Sequence, residues 1–424
     1  MWKVRMTSCL QTPPSLSDQQ ESLSTNYRVQ AVLGEGTFGK VVRCLKVDTN
    51  ESVAVKVFKQ DFFGREVKKE VAMLKGLRHL DLDKCHIVKW YDCFASGGRT
   101  CLVFEELDIS LLDYMRQRQS SPLPLRKIRP IIQQLSMALK SLRTVGMIHT
   151  DLKPDNVMLV NCLQEPIRVK LIDFGMAIRR SEAKIGHHCQ PLCWRSPEII
   201  LGLPFSEAID IWSLGCLMGG LFLGNSFYSG TSEYDLLRLM MHTRGEPGQH
   251  LLNAGTQTAS FFKREDHQRF WRFKTPAEYT SDTGILCWPQ MFFLFDSLDD
   301  LREFNRTADD GTEVEDRSQF VILLKQMLEM DAAKRILPAE VLSHPFITLS
   351  HLSDSNHDCS HGKSSSLAPS LCAGSSEATP PVSEAVDQRN SRPSFHPRGS
   401  WARSRPEDRK RRADFLPQPA HKVP

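Results

Sequence analysis

The sequence predicts an α+β fold in two unequal parts, a small β-rich unit carrying one helix and a larger helical unit behind it. Three observations carry this reading. Between residues 27 and 58, short runs rich in β-branched residues alternate with glycine or polar turns. A single stretch of helical periodicity follows. From Leu107 onward the apolar pattern is largely helical, and it ends near Phe346.

Residues 1–26 are rich in Ser, Thr and Gln and lack periodicity, so a flexible arm is expected. Strands are expected at 29–33, 41–47 and 53–58. A helix is expected over 65–80, where Val67, Val71, Leu74 and Arg78 share a stripe that Met73 and Leu77 widen. Apolar runs at 87–94 and 101–104 complete an N-terminal lobe over 27–106. The C-terminal lobe spans 107–347, with its clearest long helices at 128–142 and 209–223. Beyond it Ser, Pro, His and Arg dominate, and a disordered tail is expected over 348–424.

A chain of 424 residues is long enough for a large core. No apolar run is long enough to span a bilayer, and the first ten residues lack an apolar leader core, so neither a membrane partner nor export is expected. Twelve scattered cysteines without framework spacing read as free thiols. A net charge of +4 carries no argument for nucleic-acid binding by the whole chain.

The chemistry concentrates in a few motifs. His149-Thr150-Asp151-Leu152-Lys153-Pro154-Asp155-Asn156 brings an acid, a lysine and an asparagine into one loop, and Asp173-Phe174-Gly175 adds a second acid in a glycine turn. That set suits phosphoryl transfer from a magnesium-bound nucleotide. Asp151 can accept a hydroxyl proton and orient its oxygen. Lys153 can neutralise charge on the transferred group. Asn156 and Asp173 are hard oxygen ligands of the kind magnesium takes. Leu33, Gly34, Glu35, Gly36, Thr37, Phe38, Gly39, Lys40 and Val41 form a glycine hairpin between two expected strands. Such a hairpin can lie close over phosphates. Strand follows strand here, which disfavours a dinucleotide-binding turn.

In Val53-Ala54-Val55-Lys56 a lysine sits in an apolar strand and needs a partner. Glu66 and Glu70 both lie on the next helix. Four residues after Glu66 comes a charge, whereas four after Glu70 comes Leu74, so Glu70 is expected to face inward and pair with Lys56. Glu198 is expected to pair with Arg335, and Asp210 to tie the catalytic loop's backbone to the 209–223 helix; both would be structural.

Together these residues resemble a eukaryotic protein kinase, in that family's motif order, over about residues 27 to 346. The resemblance implies a two-lobed kinase fold, ATP and Mg2+ as nucleotide and ion, and a serine/threonine type, on Lys153. It implies that the backbone of Glu105 and Leu107 meets the adenine edge, that Met158 lies beneath it, and that Ala54 lines the same slot. Phe104 would limit the pocket behind. Pro197-Glu198-Ile199-Ile200-Leu201-Gly202-Leu203-Pro204-Phe205 and Leu171-Ile172-Asp173-Phe174-Gly175 are similar to the homeodomain-interacting protein kinases, a CMGC subfamily. So is Asp151-Leu152-Lys153-Pro154 with a small residue before the acid. Residues 230–317 resemble that group's insert. The resemblance implies protein substrates, transcription factors or corepressors among them, a monomer, and a place in the nucleus and/or cytoplasm.

The chain departs from that pattern at three positions. Thr150 stands where many kinases have an arginine that grips a phosphate. His188 stands where the subfamily carries its autophosphorylated tyrosine, two before Gln190. Leu192 replaces the group's arginine, which weakens the case for strict proline direction, while Arg195 remains. Between Asp173 and Glu198 the only hydroxyls belong to Ser181 and Ser196. The activation segment is therefore expected to take its active shape without tyrosine phosphorylation. His187, His188, Cys189 and Cys193 have ligand-like chemistry but no matched second pair, and read as a loop. Arg403, Arg405, Arg409, Lys410, Arg411 and Arg412 read equally as a nuclear-import signal or a solvated basic tail. The rival to an active enzyme is a catalytically silent kinase-fold scaffold that binds transcription regulators. Such scaffolds typically lose a residue of the Lys56, Asp151 or Asp173 kind, and all three are here.

Overall fold

Alternation of side chains organises the N-terminal lobe. In strand β4 (Glu51–Phe58), Val53, Val55 and Val57 point to one face while Ala54, Lys56 and Phe58 point to the other. The valines join Val42, Cys44, Cys101 and Val103 in a small core of their own. The structure, a computed structural model, describes residues 22–36, 38–59, 64–187, 189–264, 269–287, 295–304 and 311–352. The tail and most of the N-terminal arm lie outside these residues, as do Thr37 and His188.

The strands are β1 (Ser22–Ser24), β2 (Tyr27–Glu35), β3 (Gly39–Lys46), β4, β5 (Trp90–Ser96) and β6 (Arg99–Glu105). They form one antiparallel sheet in the order β1-β2-β3-β4-β6-β5. The sheet starts earlier than the sequence suggested: Ser22–Ser24, placed in the flexible arm, pairs with β2. A three-residue edge strand is too short to show periodicity. Tyr27 and Phe94 stack across the sheet at 5.0 Å.

Helix α1 (Arg65–Gly76) buries Val67, Glu70, Met73 and Leu74. It ends four residues before the expected boundary. Leu77 and Arg78 donate to Leu74 and Lys75, three residues back, so the chain tightens out of the α-helix there. The run at 87–94 also divides. Ile87 makes a parallel bridge to Leu171 of the C-terminal lobe, and the strand begins only at Trp90.

In the C-terminal lobe, α2 (Leu111–Gln117), α3 (Leu125–Thr144) and α5 (Ala208–Leu223) surround the catalytic segments, with short α4 (Pro197–Leu201) between. α5 is buried on nearly every side, as a helix at the centre of a lobe must be. Two short ladders then set the loops. β7 (Met147–Ile148) pairs with β10 (Ile178–Arg179), and β8 (Val157–Leu159) with β9 (Val169–Leu171). The loop 149–156 runs from β7 to β8, and Asp173 to Ala177 run from β9 to β10. Each loop thus leaves one ladder and enters the other beside its counterpart. Gln134 of α3 fixes β9 from below: its amide nitrogen donates to the Ile167 carbonyl at 2.7 Å, and its oxygen accepts from Val169 N–H at 2.8 Å.

Candidate active site

Lys56 is buried on its strand, and three carboxylate oxygens answer its charge. Nζ lies 2.7 and 2.9 Å from the two oxygens of Glu70 and 3.0 Å from Asp173 Oδ1. Glu70, not Glu66, is the partner; Glu66 is exposed. Burial works against the ammonium charge, but Asp173 and Glu70 outweigh it and hold the lysine's pKa above its ordinary value. Burial holds the Glu70 carboxyl above its ordinary value, with the Lys56 ammonium opposing the rise and the Asp173 charge adding to it. Asp173 is likewise desolvated, yet the Lys56 ammonium keeps its carboxyl below the usual range. Gly175 makes the cluster fit, since a Cβ there would stand 3.2 Å from Glu70 Oε2.

The glycine hairpin joins β2 to β3, with Gly34 opposite Val41 and Glu35 opposite Lys40. Gly36 N–H donates to the Gly39 carbonyl at 2.8 Å, closing the turn. Gly39 is obligatory on steric grounds: a Cβ would meet the Val57 carbonyl oxygen at 2.1 Å. Leu33, Phe38 and Lys40 are half-buried near it. Val41 stands directly opposite Lys56 in register, and Ala54 opposite Phe104, so strand pairing aligns the hairpin, the lysine and the hinge.

The catalytic loop is held from below by Asp210, whose oxygens accept the amides of His149 at 2.7 Å and Thr150 at 2.9 Å. Desolvation at that depth pushes the Asp210 carboxyl upward, with His149 and the two donors opposing it. Asp151 presents its carboxylate between two donors. Lys153 Nζ lies 2.8 and 2.9 Å from its oxygens, and Asn156 Nδ2 lies 2.7 Å from Oδ2. The main chain of Asn156 reaches the second acid's turn, for its carbonyl accepts the Ile172 amide at 2.9 Å. His149 packs edge-on to Phe174 at 5.2 Å and its Nε2 bonds the Ile172 carbonyl at 3.1 Å.

Two oxygens in this arrangement stand open. Asn156 Oδ1 is buried and has no hydrogen-bond partner among the described residues. Asp173 engages Lys56 and the Gly175 amide through Oδ1 alone among the described residues. An amide oxygen and a carboxylate oxygen left unpaired in adjacent loops are the hard donors that magnesium takes. The donor set therefore fits Mg2+, and Asn156 and Asp173 are the residues that would hold it.

The hinge carries a feature that the sequence reading missed. Glu105 is clamped by Lys170, a buried lysine on β9, whose Nζ lies 2.6 and 2.8 Å from its carboxylate and 2.7 Å from Asp83. The Lys170 and Lys89 ammoniums hold the Asp83 carboxyl down at about 2. Glu105 N–H is already bonded to the Lys89 carbonyl at 3.1 Å, so that donor is not open to a ligand. Leu107 is buried and its N–H and C=O bond no other main-chain group among the described residues. Met158 is half-buried in β8 and pairs with Lys170. The rule that singled out Lys56, a lysine inside an apolar strand, also describes Lys170 in 169–172.

Glu198 and Arg335 form a bidentate buried pair at 2.6 and 2.9 Å. The His187/Cys189/Cys193 group assembles no metal site: among the described residues no three His, Cys, Asp or Glu could hold an ion, and His188 lies outside them. Burial pushes the Cys189 thiol up to about 11, so it is no thiolate at neutral pH.

A glycine hairpin, an ion-paired strand lysine and two magnesium-type oxygens beside a held aspartate define a class of protein. The protein kinase domain model matches residues 27–347, and the chain belongs to the protein kinase family, whose members use ATP with Mg2+. Its curated relatives include homeodomain-interacting protein kinases 2 and 1 of Mus musculus, each 45% identical over 359 residues. Those alignments cover 83% of this chain and 30% of each relative. Homeodomain-interacting protein kinase 4 of Homo sapiens is 36% identical over 372 residues, 84% of this chain and 60% of that protein. The chain thus spans less than two thirds of the length of these relatives.

Proposed function

We propose that this chain is a serine/threonine protein kinase that moves the γ-phosphoryl group of ATP to hydroxyls of protein substrates. The observation that carries the reading is the meeting of Lys56, Asp173, Asn156 and Asp151 through two short strand ladders. Lys56, braced by Glu70, would hold the α- and β-phosphates under the 33–41 hairpin. Asp151 would orient the acceptor hydroxyl and receive its proton as the new oxygen–phosphorus bond forms and the β–γ bridge breaks. ADP leaves with the electron pair of that bridge. Lys153, already against Asp151, would meet charge growing on the transferred group. Held by Asn156 and Asp173, Mg2+ would supply positive charge to the phosphate oxygens. The carbonyl of Glu105 and the free main chain of Leu107 would face the adenine edge, with Met158 below and Ala54 lining the slot.

The substrates we propose are nuclear regulators, homeodomain transcription factors among them, because the relatives are named for that interaction. The basic cluster at 403–412 would suit a nuclear address. Transfer of label from γ-labelled ATP, compared between the wild type and Asp151→Asn, tests the reading. A loss on the order of 10²–10³ in rate is expected. Equal labelling by both proteins would leave the silent scaffold as the better account.

A further inference from the structure

We infer that Thr150 is a positioning residue that holds Asp151 and the activation segment in working geometry without any phosphate; this rests on the kinase reading. Thr150 sits one residue before Asp151, is buried, and has φ 65°, a left-handed conformation that strains a β-branched residue. Strain of that kind persists only where neighbours over-determine the backbone. Here they do. The Thr150 N–H is fixed by Asp210, and its carbonyl accepts the Gln190 amide at 2.9 Å. Its hydroxyl donates to the Met176 carbonyl at 2.9 Å. One residue thus fastens the catalytic loop to both the start and the far side of the activation segment.

Gln190 completes the latch. Its amide nitrogen donates to the Ile209 carbonyl and to Ser213 Oγ, both at 2.8 Å. Its oxygen accepts the Ser196 amide at 2.9 Å and the Ser196 hydroxyl at 3.0 Å. Arg195 spends its guanidinium on the Gln190 carbonyl and on Glu233, at 2.8 and 2.7 Å. Segments ordered by phosphorylation need an acceptor hydroxyl and an arginine free to meet the phosphate. Ser196 is buried and bonded, and Arg195 is already paired. Ser181 alone is exposed, on a short turn with Arg180 bonded to Glu207. Neutral hydrogen bonds through Thr150 and Gln190, with the Arg195–Glu233 ion pair beside them, therefore stand where a phosphate would act.

The experiment uses the full chain, stripped by phosphatase and shown phosphate-free by intact mass, with Thr150→Val and Thr150→Ser beside it. Valine keeps the shape and removes the donor. The phosphate-free wild type should keep its activity to within about twofold. Thr150→Val should lower kcat about 10-fold by leaving the Met176 carbonyl unpaired, with KM for ATP little changed, and serine should restore most of it. Hydrogen exchange gives a readout independent of catalysis: the Gln190 amide should be protected in the phosphate-free chain and exchange faster in Thr150→Val. Activity that disappears with the phosphate, or a valine variant like the wild type in both rate and exchange, overturns the inference. If the untreated chain is as inactive as Asp151→Asn, the kinase reading fails instead, and the exchange result alone then judges the latch.

Discussion

Replacing Glu70 by glutamine keeps the side chain's shape and removes one of the two acids that neutralise Lys56. In the wild type the ammonium lies 2.7 and 2.9 Å from Glu70 and 3.0 Å from Asp173, at 5% exposure. Breaking a buried pair costs about 3–5 kcal/mol when the surviving charge is left alone. Asp173 remains beside Lys56, so the stability loss should fall below that range, about 2 kcal/mol. The functional loss should be larger. With Glu70 neutral, Lys56 is drawn to Asp173 and away from the phosphates, and it competes for the carboxylate that would hold the ion. A fall in kcat/KM on the order of 10² is expected for misplacing one preorganised charge. The assay is steady-state phosphorylation of a general peptide substrate, with Glu66→Gln as the control. Glu66 is exposed on the same helix, four residues away, and its variant should match the wild type. Equal losses in the two variants, or none in Glu70→Gln, would refute the assignment of the partner.

Other outcomes follow from the same geometry. Lys170→Met removes the buried cation between Glu105 and Asp83; it should raise KM for ATP on the order of 10-fold, with kcat less affected, because the hinge loses its clamp while the catalytic loop is untouched. Arg335→Met strands Glu198 in the C-terminal lobe and should cost about 3 kcal/mol or more in chemical denaturation, with kcat per folded molecule unchanged. For the Lys56–Asp173 pair, the lysine's folded pKa is raised, so its contribution is complete below the unfolded value of about 10.4 and fades as pH rises through the folded one. The folded pKa of Asp173 is lowered, so its contribution is complete above about 3.9 and fades as pH falls through the folded value. In Lys56→Met the buried Glu70 and Asp173 carboxyls lose the ammonium that lowers them, so the stability difference from the wild type should widen as pH rises from the carboxylate range towards neutral, which denaturation at several pH values would check. Alkylation at neutral pH should label exposed Cys93 well before buried Cys189.

What the sequence made legible depended on how local the cause was. Strand periodicity placed β2, β3 and β4 to within a few residues, since alternation is written in consecutive side chains. The Glu70 pairing was legible because helical spacing says which glutamate faces inward. The Glu198–Arg335 contact was legible in the fit of a guanidinium fork to a carboxylate and the Asp210 contact in its place at the start of the 209–223 stretch, and the structure joins both. The Thr150 hydroxyl was another matter. Its bond to Met176 depends on the β7–β10 ladder, which brings together residues 26 apart. The Ile87–Leu171 bridge between lobes is of the same kind, because nothing in an apolar run tells a strand from a docking segment. The end of α1 was missed because the apolar stripe continues through Leu77 although the hydrogen bonds have already tightened.

The most direct test is a crystal structure of the chain with Mg2+ and a non-hydrolysable ATP analogue. We expect one triphosphate contacted by Lys56, with an ion about 2.1 Å from both Asn156 Oδ1 and an Asp173 oxygen, and Asp151 facing the γ-phosphate. An analogue bound elsewhere, or an ion that reaches only one of these two residues, would contradict the site described here.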